Sequence, residues 1–437
     1  MRHAAHPLLA AIVTGALLTA CGGGGDSDQA ASLQNSYSQR IFVANNRTTY
    51  QPELSTEANF VDAWGVAIRP AGIPGHFWVL AGNKSYEYVG DVTGKTVAPC
   101  TTASALCADL APLSTNQVTI PGFPTVVDAT GATVPDILKN HATGVVFNSV
   151  STSFVITQTP TTGASITAGA KFLFATSFGT IAAWTERKKA DGTFDRSDTA
   201  LTVIDQSASG AGFYGVAVSP DSSRLYVADF GTDLRLKVFN SGFQEITSTL
   251  GFKNPFVTSQ AAIKAGDFVP WNVQVLNGHV FVTYTQVQEN PDPAIAKGSA
   301  WPTNEVHAAG AGRLVEFDLD GKLIAVWDDG GLLNAPWGLA IAPANFGGLS
   351  NTLLVGNFGD YDGVNKGAIV AFDMTTRKAV NYVRGADGSP LLVPGIWGMV
   401  FGNGDTLGDA NALYFASGPG GEVDGVFGSL RYSPTTK

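Results

Sequence analysis

Six recurrences of one phrase, aromatic-Gly-apolar-Ala-apolar, a second short apolar strand after each, and little helical periodicity predict an all-β chain. The expected fold is a six-bladed β-propeller whose last blade is closed by an N-terminal strand. Clear copies of the phrase are Trp64-Gly65-Val66-Ala67-Ile68, Tyr214-Gly215-Val216-Ala217-Val218 and Trp337-Gly338-Leu339-Ala340-Ile341. Looser copies begin at Thr143, Trp271 and Trp397.

Each phrase is followed, usually after a Pro/Asp/Asn/Gly turn, by a run rich in Val, Phe and Tyr: 77–80, 172–175, 225–228, 280–283, 353–356 and 413–416. Short β-branched and aromatic runs between turn formers are strands. Third strands are expected at 236–239, 313–317 and 368–372. The phrase glycine is expected where innermost strands converge on the axis, because a residue without Cβ permits close backbone approach.

The spacing of the phrases is uneven, and a four-stranded blade needs only about 40–50 residues. The surplus falls in loops, the longest being 91–140, with two cysteines, and 286–312, with Trp301 and His307. The last unit has strands at 397–401, 413–416 and 429–432 and is one strand short. The free strand Arg40-Ile41-Phe42-Val43-Ala44 is expected to complete it, since an unclosed ring exposes unpaired edges.

The N-terminus reads as a secretory signal: basic and polar first residues, an apolar run from Leu8 to Leu18 and small residues before Cys21. Leu18-Thr19-Ala20-Cys21 resembles the lipobox of bacterial lipoproteins, which implies lipidation at Cys21 and a membrane partner through the lipid. The alternative is simple cleavage that leaves a spare thiol. Gly22 after the cysteine implies, by the same resemblance, the outer membrane of a cell envelope. The chain then divides into a signal at 1–20, a Gly/Ser/Asp-rich tether at 21–39 and one propeller domain at 40–437. Cys100 and Cys107, in an exported chain, are expected to form a disulfide that staples a loop; a metal site is the weaker alternative, with no His or third Cys beside the pair.

With 51 Gly, only 14% charged residues and a formal net charge of -10, the chain is not a nucleic-acid binder, which requires clustered Lys and Arg. The basic run Arg187-Lys188-Lys189 reads as a solvated turn before Asp191-Gly192.

The phrases Asn334-Ala335-Pro336-Trp337-Gly338, Gly356-Asn357-Phe358-Gly359 and Gly395-Ile396-Trp397-Gly398 resemble an uncharacterised family of exported bacterial propellers. That family is distantly similar to NHL-repeat and SMP-30/gluconolactonase-type proteins. The resemblance spans about Arg40 to Tyr432 and departs at Asp62-Ala63-Trp64, where a Pro before the Trp would match the later copy, and at Thr143 in an aromatic position.

In a propeller, the start of each innermost strand and the end of each second strand meet at one mouth of the channel. The strand starts are Trp64, His141, Tyr214, Trp271, Trp337 and Trp397, and the strand ends are Asn83, Ser177, Asp229, Thr285, Asn357 and Ser417. Such a ring can bind a small organic ligand or sugar. It can equally be inter-blade packing, which regular recurrence favours. The SMP-30 resemblance implies a hard divalent cation such as Ca²⁺ held by carboxylate and amide oxygens, with Asp229, Asn357 and Asn83 as the ligands to consider. The loop at 359–365 has a faint Ca²⁺-loop look without the closing acid. No G-x-S-x-G elbow is present. The favoured function is a binding or scaffolding propeller contacting a protein, glycan or small molecule. The alternative is a metal-dependent lactonase or other hydrolase in the channel mouth.

Overall fold

The computed structural model of the chain describes residues 35–108, 117–160, 163–260, 263–289, 303–359 and 366–434. Cys21, Trp301 and the stretch 360–365 lie outside the described residues.

The repeating strands assemble into six antiparallel blades. Blade 1 runs Ala63–Ala67, Phe77–Ala81, Lys84–Gly90 and Leu106–Ala108, and blade 2 runs Ala142–Phe147, Phe172–Thr176, Thr180–Trp184 and Leu201–Asp205. Blade 3 has three strands, Phe213–Val218, Arg224–Asp229 and Lys237–Asn240. Blade 4 uses Phe268–Leu276, His279–Glu289, Gly312–Phe317 and Leu323–Val326. Blade 5 uses Pro336–Ile341, Thr352–Asn357, Ile369–Asp373 and Lys378–Tyr382. Blade 6 combines Ile396–Phe401, Ala412–Ser417 and Val426–Tyr432 with the N-terminal strand Tyr37–Ala44.

That closing strand pairs antiparallel with the last strand from Tyr37↔Tyr432 to Ala44↔Val426. It begins at Tyr37, so residues 37–39 belong to the blade and not to the tether. Phe42, 1% exposed, packs its ring 6.2 Å from those of Tyr414 and Phe427. The hydrophobic core is six apolar layers, each shared by two neighbouring blades; Phe77, Tyr414 and Phe427, for example, lie in the layer between blades 1 and 6.

The phrase has a geometric cause sharper than its sequence suggests. In all six blades the register between first and second strand slips there: Ala63/Val66, Ala142/Val145, Phe213/Gly215, Pro270/Asn272, Pro336/Leu339 and Ile396/Met399. A bulge of this kind bends its strand and re-aims a side chain. The aromatic leaves the alternation of the blade faces and joins the others at the mouth. The glycine then rests on the next blade. A Cβ on Gly65 would stand 2.8 Å from the Thr143 carbonyl oxygen, and one on Gly398 would stand 2.8 Å from the Val66 nitrogen. In blade 4 the position is Asn272, whose amide donates across the gap to the Trp337 carbonyl at 2.7 Å.

The insertions decorate this frame. Cys100 and Cys107 form a disulfide with Cα atoms 5.5 Å apart, tying the 91–140 insertion to the outer strand of blade 1. The basic run sits on an exposed hairpin, Glu186–Lys188 against Phe194–Arg196, turned at Asp191. Blade 4's second strand overshoots its blade and pairs with Thr303–Glu305, which brings the end of the 286–312 insertion to the mouth side.

Candidate functional site at the channel mouth

The channel is not open. Trp64, Trp271, Trp337, Trp397 and Phe358 form one buried cluster with Tyr214 packed against it. The four indoles are between 0% and 3% exposed. Trp397 stacks on Trp64 with ring centroids 3.5 Å apart and on Phe358 at 4.0 Å. Below this plug the axial gap, lined by Gly65, Gly144, Asn272 and Gly398, is about 20 Å³, room for about one water. The expected aromatic ring is therefore a packed plug.

Above the plug, polar groups from several blades converge. Asp62, fully buried, accepts hydrogen bonds from both stacked indoles: Trp64 Nε1 donates to Oδ2, and Trp397 Nε1 donates to Oδ1 at 3.1 Å. Its backbone is left-handed (φ 45°), a conformation unfavourable to a residue with Cβ and usually retained where the surroundings enforce it. His141, at the entrance to blade 2 and 8% exposed, places Nδ1 2.8 Å from Asp62 Oδ2. The two are not aligned as a hydrogen bond, so this buried nitrogen has no hydrogen-bond partner among the described residues. The backbone around it is fixed, since His141 N donates to Ser177 Oγ and Ser177 N to the His141 carbonyl, both at 2.9 Å.

Glu422 arrives from the loop between the second and third strands of blade 6, also with left-handed backbone (φ 64°) after Gly420 and Gly421. One potential ligand atom each from Asp62, His141 and Glu422 lies within 4.8 Å of the others. Burial, with the negative charges of Asp62 and Glu305 added, holds the Glu422 carboxyl well above the usual carboxylate range. Burial first, then Glu305, Glu422 and Asp62, raises the Tyr214 phenol in the same way. Glu305, on the blade 4 arm, is paired with His307 (Nε2 to Oε1, 3.1 Å), whose ring meets Phe358 edge-on at 5.6 Å.

The strand-end residues expected to hold a cation have other work. Asp229, fully buried, spends Oδ1 on the N–H groups of Gly212, Gly231 and Thr232, and Oδ2 on the Thr232 hydroxyl and on Lys237 at 3.1 Å. Asn357 accepts from Asn334 N at 3.0 Å and donates to the Leu332 carbonyl at 2.9 Å. Asn83 sits in the tight turn before Lys84 and accepts from Ile120 N through its carbonyl. All three anchor loops. The acidic groups of the mouth are instead Asp62, Glu305 and Glu422, none of them at the end of a second blade strand. Asp62 carried a legible signal: the residue two before the Trp is left-handed in blades 1, 5 and 6, and it is Asp62, Ala335 and Gly395 respectively. An Asp in a slot that favours glycine is out of place for packing.

No family model matches the chain. It is 30% identical over 219 residues to the uncharacterized protein R648 of Acanthamoeba polyphaga mimivirus, covering 50% of this chain and 48% of that protein. It is also 30% identical over 212 residues to protein L690 of the same virus, covering 48% and 49% respectively. The chain thus spans about half the length of the curated relatives it matches. These relatives belong to a giant virus and lend no support to a bacterial origin or a lipoprotein signal. Among solved structures it is similar to the propeller of Dos1 (10% identity, TM-score 0.36, 87% of this chain and 69% of that one). It is also similar to XC5397 of Xanthomonas campestris, a gluconolactonase (15% identity, TM-score 0.30, 60% and 82%). The chain is a six-bladed β-propeller, similar in sequence over half its length to viral proteins without an assigned activity.

Proposed function

We propose that the channel mouth is a metal centre and that the propeller is a metal-dependent hydrolase of a small, oxygen-rich substrate, carried on a lipid at Cys21. The observation that carries this reading is the convergence of Asp62, His141 and Glu422, from three blades, to within 4.8 Å of one another. The residues fit a cation: it would relieve the crowding of Asp62, Glu305 and Glu422, and it would take the lone pair of His141 Nδ1, which faces Asp62 Oδ2 at 2.8 Å without a hydrogen bond. Two oxygens and one imidazole nitrogen suit Zn²⁺, Mn²⁺ or Fe²⁺ better than the Ca²⁺ expected from the sequence, which prefers six to eight oxygens.

When bound, a divalent cation supplies a Lewis acid that polarises a carbonyl oxygen and lowers the pKa of water. The chain supplies orientation. The indole N–H groups of Trp64 and Trp397 hold the Asp62 carboxylate in one geometry. The Glu305–His307 pair on the blade 4 arm is suited to take a proton from an attacking water, as a carboxylate-oriented imidazole commonly does. Even with a dication bound, the carboxyls of Asp62, Glu305 and Glu422 leave the mouth no net positive charge to draw in an anion, which favours neutral esters or lactones over phosphate esters.

The test is metal analysis of the purified chain, followed by hydrolysis of p-nitrophenyl acetate and of aldonolactones with Zn²⁺, Mn²⁺ or Ca²⁺ added. His141→Ala and Asp62→Asn are expected to lose both metal uptake and turnover. Hydrolysis indifferent to chelation and to both substitutions would refute the reading. A second reading, a cation-organised binding module, is favoured by the burial of the plug rings; it predicts metal uptake and ligand retention without turnover.

A further inference from the structure

We infer that the segment closing the propeller ring also sets the metal site, with Asn45 and Tyr50 acting as positioning residues for Glu422. This rests on the metal reading of the mouth. The loop that carries Glu422, residues 418–425, contains four glycines, and Gly420, Gly421 and Glu422 are successively left-handed (φ 71°, 74° and 64°). Such a sequence has little conformational preference of its own. Its shape comes from what it rests on.

The rest is the stretch between the closing strand and blade 1. Asn45 donates from Nδ2 to the Val423 carbonyl and accepts at Oδ1 from Gly425 N, both at 3.1 Å. Its own N–H donates to the Gly425 carbonyl at 3.2 Å. Tyr50, at the end of the one-turn helix Arg47–Tyr50, donates its hydroxyl to Asp424 Oδ2 at 2.9 Å. Asp62 N donates to the Asp424 carbonyl at 3.0 Å, so the backbones bearing two of the three proposed ligands are bonded directly. Both ends of the loop are glycine for a steric reason. A Cβ on Gly418 would overlap the Asp62 carboxylate, and one on Gly425 would overlap the Phe60 carbonyl. A side chain at either place would push the two carboxylates apart.

Ring closure and assembly of the site are therefore one structural event. The closing strand brings Asn45 and Tyr50 to the loop, and the loop brings Glu422 to Asp62 and His141. By linkage, a cation bound at the mouth stabilises the closed ring.

The experiment is calorimetric titration of the full chain with ZnCl₂ and MnCl₂, together with the melting midpoint with and without metal. The variants are Tyr50→Phe, Asn45→Ala, Asp424→Ala and Asp424→Asn. Removing a direct partner of a metal ligand weakens binding by roughly 10–100-fold; Asn45, Tyr50 and Asp424 hold the backbone that carries Glu422, so the lower end of that range applies. Tyr50→Phe, Asn45→Ala and Asp424→Ala are expected to lose about tenfold in affinity and most of the metal-induced rise in midpoint, with the metal-free midpoint near wild type. Asp424→Asn keeps an acceptor for the Tyr50 hydroxyl and is expected to bind as wild type. Wild type that binds metal while all four variants bind equally well would overturn the inference and leave the metal reading standing. Wild type that binds neither metal would overturn both. Should one variant fail to fold, the others carry the test.

Discussion

The seam between blades 1 and 2 is held by a buried ion cluster whose contribution can be measured. Glu87, on the third strand of blade 1 and with no exposed side-chain surface, receives both terminal nitrogens of Arg196 from blade 2 and lies 3.1 Å from His76 Nδ1. The guanidinium also stands 4.9 Å from the Trp184 ring. In Glu87→Gln the carboxylate charge is gone while Arg196, 18% exposed, keeps its own. Breaking one side of such a pair costs about 3–5 kcal/mol, most of it the desolvated charge left behind. The double variant Glu87→Leu/Arg196→Leu removes both charges and should recover most of that loss. Burial raises the Glu87 carboxyl, but His76 and Arg196 outweigh it and hold the group below 4.5. The folded chain thus binds fewer protons here than the unfolded one. The contribution is complete above about pH 4.5 and is lost as pH falls through the lower folded value. Urea unfolding followed by tryptophan fluorescence, at pH 7 and in steps to pH 3, reads both effects. A Glu87→Gln midpoint within about 1 kcal/mol of wild type at pH 7, or an unchanged acid profile, would refute the account.

Two further outcomes follow from the fold and one from the lipid-anchor proposal. Phe42→Ala, in the closing strand, should lower stability by about 3–5 kcal/mol in the same urea assay, and a loss below about 1 kcal/mol would mean that the strand is dispensable. Gly398→Ala forces a methyl against the Trp64 carbonyl and Val66 nitrogen of blade 1 and should cost about 1–3 kcal/mol; an unchanged midpoint would show that the ring relaxes at this joint. Cys21→Ala should move the protein from the membrane to the soluble fraction on centrifugation of an expressing bacterium, and unchanged membrane association would end the lipid-anchor proposal.

The blade count and the closing strand were legible because they rest on local and repeated signals. Six phrases, six second strands and one orphan strand imply six blades and a shared last one, whatever the loops do. The phrase glycines were legible too, as points of close backbone approach. The bulge beside them was not, because a register slip is a relation between two strands and leaves no mark on either alone.

The site was less legible. The strand ends carry Asp229 and Asn357, whose polar atoms anchor loops. Asp62 stood out only as a departure from a packing pattern, Glu422 sits in a loop of no fixed length, and Glu305 lies on a short strand at the end of a long insertion. Loop residues are brought to the axis by hydrogen bonds that no spacing rule encodes, such as those of Asn45 and Tyr50.

Blades 4 and 5 repeat the seam of blades 1 and 2, with Glu316 joined to His279, Arg377 and Trp327. Glu316 meets Arg377 from 61 residues away, and Glu87 meets Arg196 from 109 residues away. By itself the sequence determined the strand alphabet, the number of repeats and the need for a closing strand, since these follow from periodicity and from the cost of unpaired backbone edges. Only the tertiary structure decided that the aromatic ring is a plug and that Asp62, His141 and Glu422 meet above it. Convergence on an axis is set by how six blades pack, and packing is a property of surfaces that the chain order does not contain.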